Sequence, residues 1–125
     1  MKRGLVLFAH GARDARWSEP LEAVRERCQQ ACPGVPVALG FLEFLSPDLE
    51  GAVRGLVEDQ CDEIVIVPMF LGQGGHLRRD FPPLVAALQH TFPDQVLRVA
   101  PSVGEDPGVL DALASYSIGQ LTAAR

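Results

Sequence analysis

The chain has 125 residues, of which 47% are hydrophobic, and its 16 acidic and 11 basic side chains give a formal net charge of −5. This is the length and composition of one globular domain, and an acidic balance argues against a general nucleic-acid binder. The longest apolar runs, residues 5–9 and 64–67, are too short to span a bilayer, and no signal peptide precedes the first. We therefore expect one cytoplasmic domain over residues 1–125, without a membrane partner.

Short apolar runs alternate four times with segments of helical periodicity. Strands are predicted at residues 5–9, 36–41, 63–68 and 96–99, and the third is expected to be buried on both faces. Helices are predicted to begin near Ser18, Ser46, Asp80 and Asp106. The last helix is expected to bury Leu110, Leu113 and Leu121. Such alternation predicts an α/β fold with an open parallel four-stranded sheet and helices on both faces.

Three polar side chains follow the predicted strands. His10 comes directly after the first strand, Glu43 two residues after the second, and His76 at the end of the loop after the third. Ligands of open parallel sheets bind beyond the carboxyl ends of the strands. Two imidazoles and a carboxylate suit a first-row divalent metal ion with positions left for a substrate. The third histidine, His90, lies late in a predicted helix, where a solvated side chain is expected.

The pattern H-x-x-R-D occurs twice, at residues 10–14 and 76–80. It is either a trace of internal two-fold symmetry or a coincidence. In the first case equivalent His, Arg and Asp groups lie on two sides of one cleft, and Asp14 and Asp80 orient the imidazoles. For Asp80 a helix cap is the alternative.

Four arginines lie near the predicted strand ends: Arg13, Arg16, Arg78 and Arg79. Guanidinium groups bind carboxylates and phosphates bidentately, so an anionic substrate is predicted. In the neighbouring glycine-rich stretch, Gly74 and Gly75 let the backbone approach a ligand closely. The stretch lacks both GxGxxG and the P-loop lysine, so no nucleotide cofactor is expected.

The cysteines are an odd number, and none forms a CxxC pair. Cys28 and Cys32 are four apart on one face of a predicted helix. Burial is the more common role for cysteine, and metal binding by this pair stays open.

Three segments carry a family resemblance: LVLFAHGARD at 5–14, GFLEFLSP at 40–47 and IVIVPMFLGQGGHLRRD at 64–80. Together they are similar to the small CbiX-type sirohydrochlorin chelatases, which include cobaltochelatases and ferrochelatases. The resemblance implies a chelatase fold. It also implies ATP-independent insertion of a divalent metal, Co²⁺ or Fe²⁺ with Ni²⁺ as a further candidate, into sirohydrochlorin for cobalamin or sirohaem biosynthesis.

Residue by residue, the resemblance implies that His10 and His76 are metal ligands and that Glu43 is a further ligand or accepts the pyrrole protons. It implies that the arginines meet the carboxylates of the tetrapyrrole and that the protein is a homodimer. Residues 69–71 are expected either to form an apolar floor under the ring or to pack in the core. The physiological metal stays open, because imidazole and carboxylate accept several first-row divalent ions.

Two other functions stay open. A non-catalytic carrier of metal or tetrapyrrole would use the same ligands without turnover. A histidine phosphatase also has His-Gly after its first strand, but there an arginine directly precedes the histidine. This chain has Ala9 at that position, so the phosphatase is the weaker alternative.

Overall fold

The computed structural model describes residues 1–72 and 74–123, and of His76 it describes the backbone alone. Strands and helices alternate along the chain as β1 (Arg3–Ala9), α1 (Glu19–Ala31), β2 (Val37–Phe41), α2 (Leu49–Glu58), β3 (Glu63–Pro68), α3 (Gly75–Thr91), β4 (Val96–Val99) and α4 (Pro107–Gly119). Short 3-10 helices at Ala15–Ser18 and Val103–Glu105 precede α1 and α4. No helix within the described ranges is long and apolar enough to cross a membrane.

The four strands form one parallel sheet in the order β2-β1-β3-β4. This confirms the predicted open parallel sheet with helices on both faces. At the carboxyl edge, Ala9 of β1 pairs with Phe41 of β2, and Phe8 of β1 pairs with Pro68 of β3. The loops that follow these three strands therefore begin side by side.

The core has one layer on each face of the sheet. Helices α2 and α3 cover one face, where they pack on buried strand residues that include Val6, Phe8, Ile64 and Ile66. Helix α1 covers β2 and the adjacent part of β1 on the opposite face, through Leu21 and Cys28. Right-handed crossovers explain this division, because the β2-to-β3 and β3-to-β4 connections cross the sheet in the same direction.

Two helices begin at other residues than predicted. Helix α2 begins at Leu49, because the Asp48 side chain accepts the Gly51 N–H at 2.8 Å and caps the helix, while Ser46 lies in the preceding turn. Helix α3 begins at Gly75, five residues before the predicted Asp80, with Gly74 as its cap residue. The glycine-rich end of the loop is therefore the first turn of α3.

Burial differs from prediction on the β3–β4 half of the sheet. Alternate residues of β3 are only half-buried, among them Val65 and Val67, so the prediction of burial on both faces is wrong. The prediction that the last helix buries its leucines is also wrong, since Leu110, Leu113 and Leu121 are 48%, 44% and 84% exposed. Both errors have one cause: in this structure α4 does not pack on the sheet.

Two glutamines hold the helix-to-strand connections in the same way. The Gln29 side-chain amide donates to the Val35 carbonyl at 2.8 Å, and its carbonyl oxygen accepts the Val37 N–H at 3.0 Å. Gln89 makes the matching pair of bonds, at 2.6 and 3.0 Å, with Gln95 and Leu97. Because each residue of the second set lies 60 positions after its counterpart, β1-α1-β2 and β3-α3-β4 are two copies of one unit.

An approximate two-fold axis parallel to the strands relates the two copies. It runs between β1 and β3, and it places α1 and α3 on opposite faces of the sheet. At a spacing of 60, His10 corresponds to Phe70 and His76 to Arg16. The two H-x-x-R-D segments are spaced by 66, so they do not occupy equivalent positions. The symmetry interpretation of that pattern is wrong, since His10 lies in a loop and His76 is the second residue of α3.

Candidate active site

His10 lies at the carboxyl end of β1 and is exposed. Its imidazole meets the Phe70 ring edge to face, with centroids 4.9 Å apart and an interplanar angle of 73°. Phe70 is only 3% exposed and makes a second edge contact with Phe8 in the core. One side of the imidazole is thus held against the core while the ring stays accessible to a ligand.

Glu43 is held beside His10 by the backbone. The Glu43 N–H donates to the His10 carbonyl at 3.0 Å, and the Leu42 N–H donates to the Ala9 carbonyl at 2.8 Å. These bonds continue the β1–β2 pairing beyond the strands into the two loops. The exposed Glu43 carboxylate therefore starts from a backbone position next to His10, as the sequence predicts for groups at neighbouring strand ends.

Gly11 makes the close approach of the Glu43 backbone possible. It is not among the site residues predicted from the sequence. Its φ is +89°, and a Cβ at this position would overlap the carbonyl oxygen of Glu43. Glycine is the residue that adopts positive φ without a steric penalty. The sequence feature that could have indicated this role is a glycine directly after a histidine at the end of a predicted strand.

The segment after β3 contacts His10 through Phe70, and hydrogen bonds from Ser102 and Gly104 hold this segment in place. The Ser102 hydroxyl, only 4% exposed, lies 2.8 Å from the Phe70 carbonyl and 3.2 Å from the Pro68 carbonyl, and the Gly104 N–H donates to Phe70 at 3.0 Å. Ser102 is not among the residues predicted from the sequence. Of the predicted apolar floor, Phe70 is a core residue and Leu71 is 66% exposed.

We expect Ser102→Ala to lower the free energy of unfolding by about 1–3 kcal/mol, the cost of removing a buried hydroxyl that donates to the Phe70 or the Pro68 carbonyl. Urea unfolding followed by circular dichroism measures the effect. Ser18→Ala is the control, because the Ser18 hydroxyl bonds to Ala15 at the surface and its loss is expected to cost less than about 0.5 kcal/mol. Equal effects of the two changes would contradict a fixing role for Ser102.

The first pair of arginines lies in the segment after β1. The Arg13 guanidinium sits 4.5 Å from the centre of the Phe44 ring, which comes from the loop after β2. Arg16 forms an exposed ion pair with Asp14 at 2.7 Å, and these hydrogen bonds lower the pKa of the Asp14 carboxyl. Asp14 also caps the short 3-10 helix through the Arg16 N–H. Asp14 was predicted to orient an imidazole. In the structure its carboxylate pairs with Arg16 instead.

The second pair lies in the first turn of α3. Arg78 and Arg79 are exposed, and the Arg79 Nε donates to the Gly75 carbonyl at 3.2 Å. A Cβ added at Gly74 or Gly75 would meet no atom of the described part of the chain within 4 Å, apart from its chain neighbours and the backbone of its own helix. The structure thus places both arginine pairs and both glycines after β1 and β3, which are neighbours in the sheet.

The remaining predicted ligand, His76, is placed by its backbone only. It lies in the first turn of α3, and its side chain is outside the described part of the chain. Among the side chains that are described, no three His, Cys, Asp or Glu residues lie close enough together to hold a metal ion. The same holds for Cys28 and Cys32, which are free thiols, and for the exposed His90.

Comparison with known proteins identifies the family of the chain. The family model of CbiX matches residues 4–117. A sirohydrochlorin cobaltochelatase of Sulfolobus acidocaldarius is 32% identical over 110 residues, which cover 88% of this chain and 85% of that protein. A sirohydrochlorin ferrochelatase of Bacillus subtilis is 26% identical over 90% of this chain and 43% of its own length. The chain spans 57% to 59% of three further cobaltochelatases.

The solved structure of a CbiX protein from Marinobacter aquaeolei superposes with a TM-score of 0.84 at 28% identity, over 95% of this chain and 97% of that one. The fold is that of an α/β protein of the chelatase class. Within that class, the chain belongs to the CbiX family.

Proposed function

We propose that the protein is a sirohydrochlorin chelatase that inserts Co²⁺ or Fe²⁺ into sirohydrochlorin without nucleotide hydrolysis. The observation that carries the proposal is the backbone pairing that holds Glu43 beside His10 at the carboxyl edge of the sheet. Membership of the CbiX family and the names of its cobaltochelatase and ferrochelatase relatives support the same reaction. The product serves cobalamin or sirohaem biosynthesis.

In this proposal His10, His76 and Glu43 bind the metal ion, which is a substrate. The position of His76 in the first turn of α3, after the strand next to β1, supports its membership of this set. As the metal bonds to the four ring nitrogens, two pyrrole N–H protons must leave. Glu43 or a histidine of the set accepts them, which is general base catalysis by a group within reach of the ring.

The arginines and glycines supply the binding surface for the macrocycle. Sirohydrochlorin carries many carboxylates, and we propose that Arg13, Arg16, Arg78 and Arg79 bind them. Gly74 and Gly75 let the ring approach the start of α3, and the open space at both positions supports this role. Arg16 keeps Asp14 as a partner, so it offers one side of its guanidinium to the substrate.

We expect Arg13→Ala to raise KM for sirohydrochlorin roughly 10- to 150-fold with little change in kcat, because one charge-assisted hydrogen bond is worth about 1.5–3 kcal/mol. Initial rates over a range of tetrapyrrole concentrations measure this. Arg27→Ala is the control, because Arg27 is exposed on α1 and bonds only to the Ala23 carbonyl among the described groups. A fall in kcat at unchanged KM would contradict a substrate-binding role.

The experiment that tests the function mixes purified protein with sirohydrochlorin under anaerobic conditions and adds Co²⁺, Fe²⁺ or Ni²⁺ in turn. The absorbance change of the tetrapyrrole is compared with the uncatalysed rate. Acceleration supports the chelatase, and the rates rank the metals. Binding of metal and tetrapyrrole without acceleration overturns the chelatase in favour of a carrier. Hydrolysis of a phosphate monoester by the same sample would favour the phosphatase.

We also propose that the active form is a cytoplasmic homodimer that works without a nucleic-acid or membrane partner. The net charge of −5 supports the exclusion of nucleic acid. Membership of the CbiX family supports the homodimer.

A further inference from the structure

Among the described residues, two that are not glycine have positive φ: Phe44 at +70° and Gln60 at +68°. This left-handed region is disfavoured for residues with a side chain, and a bulky residue in it needs an explanation. For Gln60 the explanation is the end of α2. Gln60 and Cys61 donate their N–H groups to carbonyls of the last turn, both at 3.0 Å, in the Schellman pattern that ends many helices. Phe44 lies at no helix end.

Phe44 is the central residue of a γ-turn in the loop after β2. The Leu45 N–H donates to the Glu43 carbonyl at 2.9 Å, which closes a turn of three residues. With positive φ at its centre, this is the rare and strained form of the γ-turn. Both neighbours hold it in place, because the Glu43 N–H bonds to the His10 carbonyl and the Leu45 side chain packs against the core beside α1. Backbone strain of this kind is concentrated at functional sites.

The turn places the Phe44 ring at the surface, next to the candidate site. The ring is 54% exposed, although phenylalanine is among the residues that are most often buried. Burial of the ring therefore does not account for the strained backbone. The guanidinium of Arg13 lies over the ring, with its Cζ 4.5 Å from the ring centre, at a distance where a cation is attracted to the face of an aromatic ring.

A ring holds an arginine in a different way from a carboxylate. The Arg16 guanidinium donates from Nε and Nη2 to the Asp14 carboxylate, which engages both its charge and its donors. The Arg13 guanidinium forms no ion pair with a carboxylate of the described residues. A phenyl ring attracts the cation through its face and has no acceptor atom to occupy the five N–H donors. Arg13 is thus held in place while its donors stay available to a ligand.

We propose that Phe44 is a positioning residue for the tetrapyrrole. The strained turn holds its ring under the Arg13 guanidinium, which is thereby set in place for a carboxylate of the macrocycle. The advantage is entropic, because an arginine that is already held loses less side-chain freedom when the ligand binds. The inference rests on the proposed function, since it takes sirohydrochlorin as the ligand of Arg13. It adds the residue that positions this arginine.

The test is equilibrium binding of sirohydrochlorin without metal, followed by the fluorescence of Trp17, the only tryptophan of the chain. We expect Phe44→Leu to raise the dissociation constant about two- to fivefold, the effect of losing a cation–ring contact at an exposed site. Phe44→Tyr keeps the ring and is expected to retain wild-type binding. In a chain that already carries Arg13→Ala, Phe44→Leu is expected to have no further effect, because the two residues act as a unit.

A second measurement separates a positioning role from a structural one. Asparagine adopts positive φ more readily than phenylalanine, so Phe44→Asn is expected to leave the melting temperature unchanged or to raise it, while it weakens binding as Phe44→Leu does. Gln60→Asn is the matched control, because it makes the same kind of change at the opposite edge of the sheet, before β3. It is expected to leave the dissociation constant unchanged.

Three results would overturn the inference. The first is equal binding by the wild type and Phe44→Leu, or equal weakening by Phe44→Leu and Phe44→Tyr. The second is an effect of Phe44→Leu that is the same with and without Arg13, which would mean that the ring contacts the macrocycle itself. The third is a marked fall in the melting temperature of Phe44→Asn, which would mean that the ring stabilises the fold.

The proposed function fails in a different way. Binding of sirohydrochlorin without acceleration of metal insertion overturns the chelatase and leaves the role of Phe44 in place. Insertion at the wild-type rate with equal binding by all Phe44 variants overturns the role of Phe44 and leaves the chelatase in place. Absence of binding by the wild type would overturn both.

Discussion

Replacing His10 with alanine is expected to lower the rate of metal insertion by roughly 10²–10⁴-fold, the range for loss of a group that acts directly on the reacting atoms. The fold is expected to persist, because the imidazole is exposed and its contact with the core is the T-shaped ring contact with Phe70, which is worth about 0.5–1.5 kcal/mol. Initial rates with Co²⁺ and with Fe²⁺ measure the first effect. Thermal unfolding measures the second.

His90→Ala is the matched control for this change. His90 is exposed in the last turn of α3, which lies at the amino edge of the sheet, away from the strand ends that carry the site. Its removal is expected to leave insertion unchanged. Full activity in His10→Ala would remove His10 from the ligand set. His76→Ala, measured beside it, tests the ligand whose side chain lies outside the described part of the structure.

Gly11→Ala is expected to abolish most of the activity without touching any group that reacts. A Cβ at Gly11 would overlap the Glu43 carbonyl, and the φ of +89° disfavours every L-residue with a side chain, at a cost of about 1–2 kcal/mol. The loop after β2 must then move away from His10. Because misplacement by about 1 Å costs on the order of 10²-fold in rate, the loss of kcat is expected to exceed what the loss of stability explains.

Gly34→Ala is the control, since a Cβ there meets no atom within 4 Å and the residue does not have positive φ. Both variants replace a loop glycine with alanine. A difference in activity between them therefore reports which loop was disturbed. Rates are measured well below the unfolding temperature of both, so that each sample is fully folded. Normal activity in Gly11→Ala would show that the approach of Glu43 to His10 is not needed for insertion.

The alternation of apolar runs and helical segments was sufficient to predict the sheet, because each strand of a parallel sheet is a short run whose period differs from that of a helix. It was also sufficient to place His10 and Glu43 at one edge, since parallel strands end together. Helix starts were less predictable. Ser46 and Asp48 are both good caps, and only the folded backbone decides which side chain meets a free N–H.

Other features depend on contacts between distant parts of the chain. The need for glycine at position 11 comes from the Glu43 carbonyl, and the role of Ser102 comes from carbonyls more than 30 positions earlier. No local pattern carries such information. The exposure of α4 could not be predicted for the same kind of reason, because an apolar helical segment predicts burial and does not say which surface would cover it.

The repeat of 60 positions has a consequence for how the site is divided between the two halves of the domain. His10 and Phe70 occupy equivalent places in the two βαβ units, and they are the two rings that touch at the carboxyl end of the axis. One half supplies the imidazole and the other supplies the phenyl ring that it contacts, so the two repeated units contribute different side chains to the same point of the candidate site.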